Sequence, residues 1–199
     1  MQNISKKKAL VIVAHPDDET IWIGGTLLRL KDVNWTIFCL CRGDDPIRAP
    51  RFKKACEYYH ARGLISDLED QGLLNIEKSL PEIKKRLIDN FAKEKPDYIF
   101  THDYNGEYGH ERHTAVHIAV KELVKEGIIP CEKLFFFAYK PDPKELVTNN
   151  IESSSFAIEL EAKELAEKKS VIEKIYGYDK NSWESRLCLP KETFIFFDV

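Results

Sequence analysis

The residues best equipped for chemistry stand in two short clusters. The first is His15-Pro16-Asp17-Asp18-Glu19, an imidazole followed by three consecutive carboxylates. Three adjacent acids repel one another, and a bound cation offsets that charge. His15 and Asp18 are three residues apart, a spacing that in a turn or a first helical turn points both side chains to one spot. Imidazole nitrogen and carboxylate oxygen both suit Zn²⁺ at about 2.0–2.2 Å. A catalytic zinc commonly takes three protein ligands and leaves one position open, so a third ligand must come from elsewhere. The second cluster, Asn105-Gly106-Glu107-Tyr108-Gly109-His110-Glu111-Arg112-His113, supplies it. His102 lies just ahead of this cluster, and His117 follows His113 by one helical turn. His60, inside a helical stretch, reads as structural. Each cluster alone has a plain explanation: acids favour a helix N-terminus, and a His-x-x-His pair is weakly specific. Together, both following strands, they favour a metal site.

The elements that must position these residues are legible in the hydrophobic pattern. Ala9 to Ala14 is a continuous apolar run with β-branched residues, as expected of a central parallel strand buried on both faces. Gly24-Gly25 opens a helix running on through Thr26 to Leu30. Trp35 to Cys41 reads as a second strand and Arg51 to Ala61 as a helix. Leu80 to Lys93 is an amphipathic helix with Leu80, Ile83, Leu87, Ile88 and Phe91 on one stripe. Asp97 to Thr101 is a further strand after Pro96, Asp103 to Gly109 a polar loop, and His113 to Lys125 a helix. Leu134 to Ala138, Phe156 to Leu160 and Phe194 to Phe197 read as strands, and Ala162 to Tyr176 as a charged helix. Pro141 to Ser155 reads as an exposed loop. Strands alternating with helices of this length imply βαβ units and a mostly parallel sheet. Ligands of such sheets bind at the carboxyl ends of the strands, where both clusters fall.

The chain has 199 residues, 43% hydrophobic and 32% charged, with a formal net charge of −3. One soluble α/β domain spanning residues 1–199 is expected. That charge disfavours nucleic acid as the main partner, because phosphate binding needs a concentrated basic face. No apolar run approaches the roughly 18–20 residues of a membrane span, and the N-terminus lacks the pattern of a signal peptide. The five cysteines are odd in number and have no Cys-x-x-Cys pair. Reduced thiols in a cytoplasmic protein are expected, not a thiolate zinc site or a disulfide scaffold.

His15-Pro16-Asp17-Asp18-Glu19, then Gly24-Gly25, then Gly109-His110-x-x-His113 resemble the PIG-L/LmbE-like N-deacetylases, which include deacetylases of mycothiol and bacillithiol synthesis and of N-acetylglucosaminyl-phosphatidylinositol. The resemblance runs from the first strand to the helix after His113; the final third is less diagnostic. It implies a Rossmann-like α/β fold and zinc-dependent hydrolysis of an acetamido group on a sugar. By motif position it makes His15, Asp18 and His113 the metal ligands and Asp17 the general base. His110 becomes an imidazolium beside the developing oxyanion, with Tyr108 helping to polarise the substrate carbonyl. Arg51 resembles a substrate-contacting arginine. Two features depart from the family pattern: Arg112 stands where many members have Asp, and Cys41-Arg42-Gly43-Asp44-Asp45 replaces a segment often containing Thr and Gly.

On this reading the metal is Zn²⁺, with Fe²⁺ or Co²⁺ accepted by the same donors. Asp17 takes a proton from the attacking water and passes it to the leaving amine. Glu19 either orients a ligand histidine or caps the following helix. The expected substrate is a small N-acetylated amino sugar conjugate, and a homo-oligomer is compatible with the sequence. Two rivals remain: a metallohydrolase of a non-sugar amide or ester on the same fold, and a non-catalytic nucleotide-binding module. The second is disfavoured because no G-x-G-x-x-G loop follows the first strand.

Overall fold

A computed structural model describes residues 6–142 and 148–198. Strand β1 (Lys8–Val13) is buried along all but its first residue. It pairs in parallel with β2 (Asn34–Cys41) on one side and β4 (Tyr98–Thr101) on the other. The sheet has seven strands in the order β3-β2-β1-β4-β5-β9-β8. The five strands β3 (Arg62–Leu68), β2, β1, β4 and β5 (Lys133–Phe137) run parallel. Strand β9 (Lys191–Phe197) pairs antiparallel with β5 and with β8 (Phe156–Glu159).

Alternation along β1 divides the core into two layers. Ala9, Val11 and Val13 join Trp22 and Leu27 of α1 (Asp18–Arg29), Phe52 of α2 (Arg48–Tyr58) and Tyr176. Leu10 and Ile12 face the other way, onto Ile83 and Leu87 of α3 (Ile76–Phe91) and Val116 and Val120 of α5 (Glu111–Lys125). Helices on both faces of a mostly parallel sheet give the expected Rossmann-like architecture. The chain leaves β1 toward β2 and β3, then returns to add β4 and β5 on the opposite side. The crevice between β1 and β4 is therefore the topological switch point, where open α/β sheets bind their ligands.

Several elements differ from the sequence reading. Helix α1 begins at Asp18, and Gly24-Gly25 lie inside it. A Cβ on Gly25 would collide with the Leu160 side chain, so this glycine serves close approach and not helix initiation. The backbone N–H groups of Gly25 and Thr26 donate to the Glu192 carboxylate at 2.8 Å each. Lys168 donates to the same carboxylate at 2.7 Å, and both charged side chains are fully buried. Strand β3 went unread because Gly63, Ser66 and Asp67 break its apolar pattern. Its position at the sheet edge explains why it can be half-exposed. Helix α6 (Ala162–Ser170) continues into a π-helical turn, Val171–Ile175, and a short helix α7 (Trp183–Leu187) follows. The expected loop from Pro141 to Ser155 is entered through β6 (Tyr139–Pro141), which pairs antiparallel with β7 (Thr148–Asn150). Residues 143–147 lie outside the described residues. No helix among the described residues is long and apolar enough to cross a membrane.

Candidate metal centre

The carboxyl ends of β1 and β4 bring the two clusters together. After β1 the chain turns through His15 to Asp17, and Asp17 adopts a left-handed backbone with φ 109° at the start of α1. That conformation is uncommon outside glycine and is held here by its surroundings. It sends adjacent carboxylates in different directions. Asp18 accepts from the Trp22 indole N–H at 3.0 Å and the His15 backbone N–H at 2.8 Å. Its Oδ2 lies 3.3 Å from His15 Nδ1 and 3.4 Å from His113 Nε2. Those two nitrogens are 3.2 Å apart.

The tautomers around this triangle are fixed by two further carboxylates. His15 Nε2 lies 3.0 Å from Asp70 Oδ1, so its hydrogen is donated there and Nδ1 presents a lone pair. His113 Nδ1 lies 2.6 Å from Glu107 Oε2, so Nε2 likewise presents a lone pair. With both rings neutral, three acceptors face one another with no donor among them; against their burial, Asp18 with Asp70 draws His15, and Asp18 with Glu107 draws His113, toward the protonated form. A shared proton or a cation reconciles such a cluster, and the spacing suits a cation. A tetrahedral ion with bonds of about 2.0–2.1 Å sets its ligands about 3.3–3.4 Å apart. Carboxylates behind metal-ligating histidines are a recurring feature of such sites. Burial opposes the charged form of Asp18, but protonated His113, His102 and His15 would outweigh it and hold its pKa well below the usual range; a cation in the triangle acts in the same direction.

Glu107 joins His113 to His102. Its Oε2 also accepts from His102 Nδ1 at 2.8 Å, and its Oε1 accepts from the Asp103 backbone N–H at 2.9 Å. It is fully buried. Burial would raise its pKa, yet His102 and His113 bring it down to about 2. The backbone at Glu107 is left-handed, φ 58°, within the single turn α4 (Gly106–Gly109) that occupies part of the expected polar loop. On its other side, His102 Nε2 accepts from the Ala14 N–H at 3.0 Å. Glu107 and Asp18 draw His102 toward the charged form against its burial, to about 9. The Ala14 N–H aimed at Nε2 nevertheless needs a lone pair there, so we assign the neutral ring.

Asp17 stands beside the triangle. Its Oδ2 accepts from Tyr178 OH at 2.7 Å and from Arg48 Nη2 at 3.0 Å. Burial and the neighbouring Asp18 push its pKa up to about 7, against the pull of Arg48 and Tyr178. Glu19 touches neither ligand histidine; it accepts from Tyr176 OH at 2.6 Å, Thr20 Oγ1 at 2.7 Å and the Asp17 N–H at 3.2 Å. These bonds tie the Glu19 carboxylate to the turn at the start of α1 and to Tyr176.

His110 and Tyr108 line the same cleft, whose volume is about 230 Å³. His110 is not the expected imidazolium. Its Nδ1 accepts from the Arg112 backbone N–H at 3.2 Å, and burial with His113 and His15 nearby lowers its pKa to about 4. A neutral ring in this tautomer carries its hydrogen on Nε2. His110 also shares a neighbourhood with His15 and His113 that could hold an ion. Tyr108 packs edge-on against Trp183, with ring centroids 4.8 Å apart.

Arg51 does not line the cleft: its guanidinium donates to the Tyr176 carbonyl and lies against Gly177. Arg48, one turn earlier in α2, occupies the cleft wall. His117 donates from Nδ1 to the His102 carbonyl at 3.0 Å and packs on Phe136, outside the triangle. His60 is an exposed residue.

The sequence reading gave no role to Asp70, Glu107, Arg48 or Tyr178. Asp70 follows the unread strand β3, and Tyr178 lies in the final third of the chain. A neighbouring hollow of about 440 Å³ shares Arg42, Asp70 and His110 with the cleft. A larger hollow, about 530 Å³, lies at the opposite ends of the strands and has no carboxylate–imidazole cluster.

Comparison with known proteins bears on this arrangement. The family model PIG-L, described as GlcNAc-PI de-N-acetylase, matches residues 10–124. An uncharacterized protein, L374, of Acanthamoeba polyphaga mimivirus is 28% identical over 128 residues, covering 56% of this chain and 55% of its own length. The alignment therefore spans little more than half of that curated relative. Among solved structures, the N,N'-diacetylchitobiose deacetylase of Pyrococcus horikoshii superposes with a TM-score of 0.71 at 17% identity, covering 96% of this chain and 84% of that one. GalB, the 4-carboxy-2-hydroxymuconate hydratase of Pseudomonas putida, superposes with a TM-score of 0.67 at 14% identity, covering 97% of both chains. At these identities the likeness is one of fold.

Proposed function

The chain belongs to the PIG-L family, and from that premise we propose that it is a divalent-metal hydrolase removing the acetyl group from an N-acetylated amino sugar. The observation that carries this reading is the triangle of His15 Nδ1, Asp18 Oδ2 and His113 Nε2, with edges of 3.2–3.4 Å. Those three residues would hold the ion, for which Zn²⁺ is the first candidate from the nitrogen and oxygen donor set. When bound, a divalent ion there supplies Lewis acidity, which makes water nucleophilic near neutral pH and polarises an acyl carbonyl.

The remaining chemistry belongs to the protein. Asp17 is anchored through Oδ2 by Tyr178 and Arg48, leaving Oδ1 to take a proton from the attacking water. The same carboxyl then returns that proton to the amine as it leaves. His110, neutral and protonated on Nε2, donates a hydrogen bond where negative charge develops on the former carbonyl oxygen. Tyr108 forms a wall of the cleft and offers its hydroxyl as a second donor. Tyr108 and Trp183, both half-buried, give the cleft flat apolar surfaces of the kind that stack on a sugar ring.

The shared fold does not decide the reaction, since the hydratase GalB superposes on the chain almost as well as the chitobiose deacetylase. The test is release of free amine and acetate from N-acetylglucosaminides, by protein loaded with Zn²⁺, Co²⁺ or Fe²⁺. Turnover of N-acetyl sugars that disappears on chelation and returns with metal supports the proposal. Hydrolysis confined to non-sugar amides or esters would assign the same centre to another substrate class.

A further inference from the structure

Arg112 occupies an electrostatically unfavourable place. It lies in the first turn of α5, where a helix favours negative charge, immediately before His113, and its side chain is only 6% exposed. Its Nη2 donates to the Glu69 carbonyl at 3.0 Å and the Leu74 carbonyl at 3.4 Å, and lies 3.6 Å from the Glu69 carboxylate. The Glu69 carboxylate in turn accepts the backbone N–H groups of Gln71, Leu73 and Leu74. Loop 69–74 is thus organised around one carboxylate and one guanidinium. It has little apolar anchorage at its tip, where Leu73 is 74% exposed. Within it, Asp70 accepts from His15 Nε2 at 3.0 Å and from Arg42 at 2.8–3.0 Å.

We propose that Arg112 is a positioning residue for the metal centre, acting through loop 69–74 and Asp70 on His15. By fixing the two carbonyls that bracket Asp70, it holds that carboxylate against His15 Nε2, which fixes the tautomer and ring angle presenting Nδ1 to the ion. One helical turn then serves both ligand histidines: His113 directly, and His15 through Arg112. This gives the arginine a purpose at a position where many relatives have an acid. The inference rests on the metal-centre reading above.

The test measures Zn²⁺ affinity of the full chain by chelator competition, with the Co²⁺ absorption spectrum reporting ligand geometry. Arg112→Met and Asp70→Asn are each expected to weaken Zn²⁺ binding about tenfold or more, the usual effect of losing an outer partner of a ligand histidine. The double variant is expected to bind no more weakly than Asp70→Asn alone, since both changes break one chain of contacts. If Arg112→Met fails to fold, Arg112→Lys carries the same comparison, because its shorter-reaching ammonium lacks the guanidinium geometry. Unchanged Zn²⁺ affinity in a folded variant overturns the proposal. So does a fully additive loss in the double variant, or a raised KM with metal affinity intact, which would make Arg112 a substrate contact. A wild-type chain that binds neither Zn²⁺ nor Co²⁺ defeats the metal-centre reading and this proposal together. A chain that binds metal yet leaves N-acetyl sugars untouched defeats only the substrate assignment.

Discussion

Asp17 and Asp18 carry the same side chain one residue apart, and their surroundings give them different work. The left-handed backbone at Asp17 turns its carboxylate to Tyr178 and Arg48, while Asp18 faces His15 and His113. Asp17→Asn is therefore expected to lower kcat by about 10²–10⁴-fold, the usual range for a lost general base. Bound zinc, measured by metal analysis, should stay stoichiometric. Loss of the metal in that variant would make Asp17 a ligand. His113→Ala should lose the metal, and His110→Ala should keep it; the reverse pattern would move the third ligand to His110. Tyr178→Phe removes one of the two donors to Asp17 Oδ2. It is expected to cost about tenfold in kcat, the equivalent of about 1.4 kcal/mol for a hydrogen bond to a charged group, with KM little changed in steady-state assays.

The elements place these residues through contacts that sequence patterning reports unevenly. Strand β1 was legible because six apolar residues precede a run of acids, and the two clusters were legible because both follow strands. Asp70 and Tyr178 were not legible: one follows an edge strand whose polar residues hide its pattern, the other reaches Asp17 across 161 residues. The Glu192 anchor was equally hidden, since a lone acid in an antiparallel strand gives no sign that it binds a helix 166–167 residues earlier. That anchor fixes the middle of α1, whose first turn carries Asp18. Glu192→Gln should destabilise the fold by about 3–5 kcal/mol in urea unfolding, because it strands the buried Lys168 ammonium. Adding Lys168→Met should recover part of that loss. No recovery would mean that the donors of Gly25 and Thr26, and not the ammonium, set the cost.

Across the whole molecule, the centre gathers parts that the chain keeps far apart: the ends of β1 and β4, the loop after β3, and Tyr178 behind α6. Folding brings His15, Asp18 and His113 together, so an ion that binds all three binds the native state in preference to the unfolded chain, and linkage converts its affinity into stability. Free Zn²⁺ at about 100 times its Kd should add about 2.7 kcal/mol. For a domain of this size that corresponds to a rise of about 5–10 °C in Tm, readable by calorimetry against chelator-treated protein. The variants separate this effect from general ion binding. Asp17→Asn should keep the full shift, because its carboxylate is not part of the triangle, whereas His113→Ala should abolish it. An equal shift in both variants would place the stabilising ion elsewhere on the protein. No shift in the wild type with Zn²⁺, Co²⁺ or Fe²⁺ would leave the three facing lone pairs to be reconciled by a proton, and a hydrolase built on them would have no means of activating water.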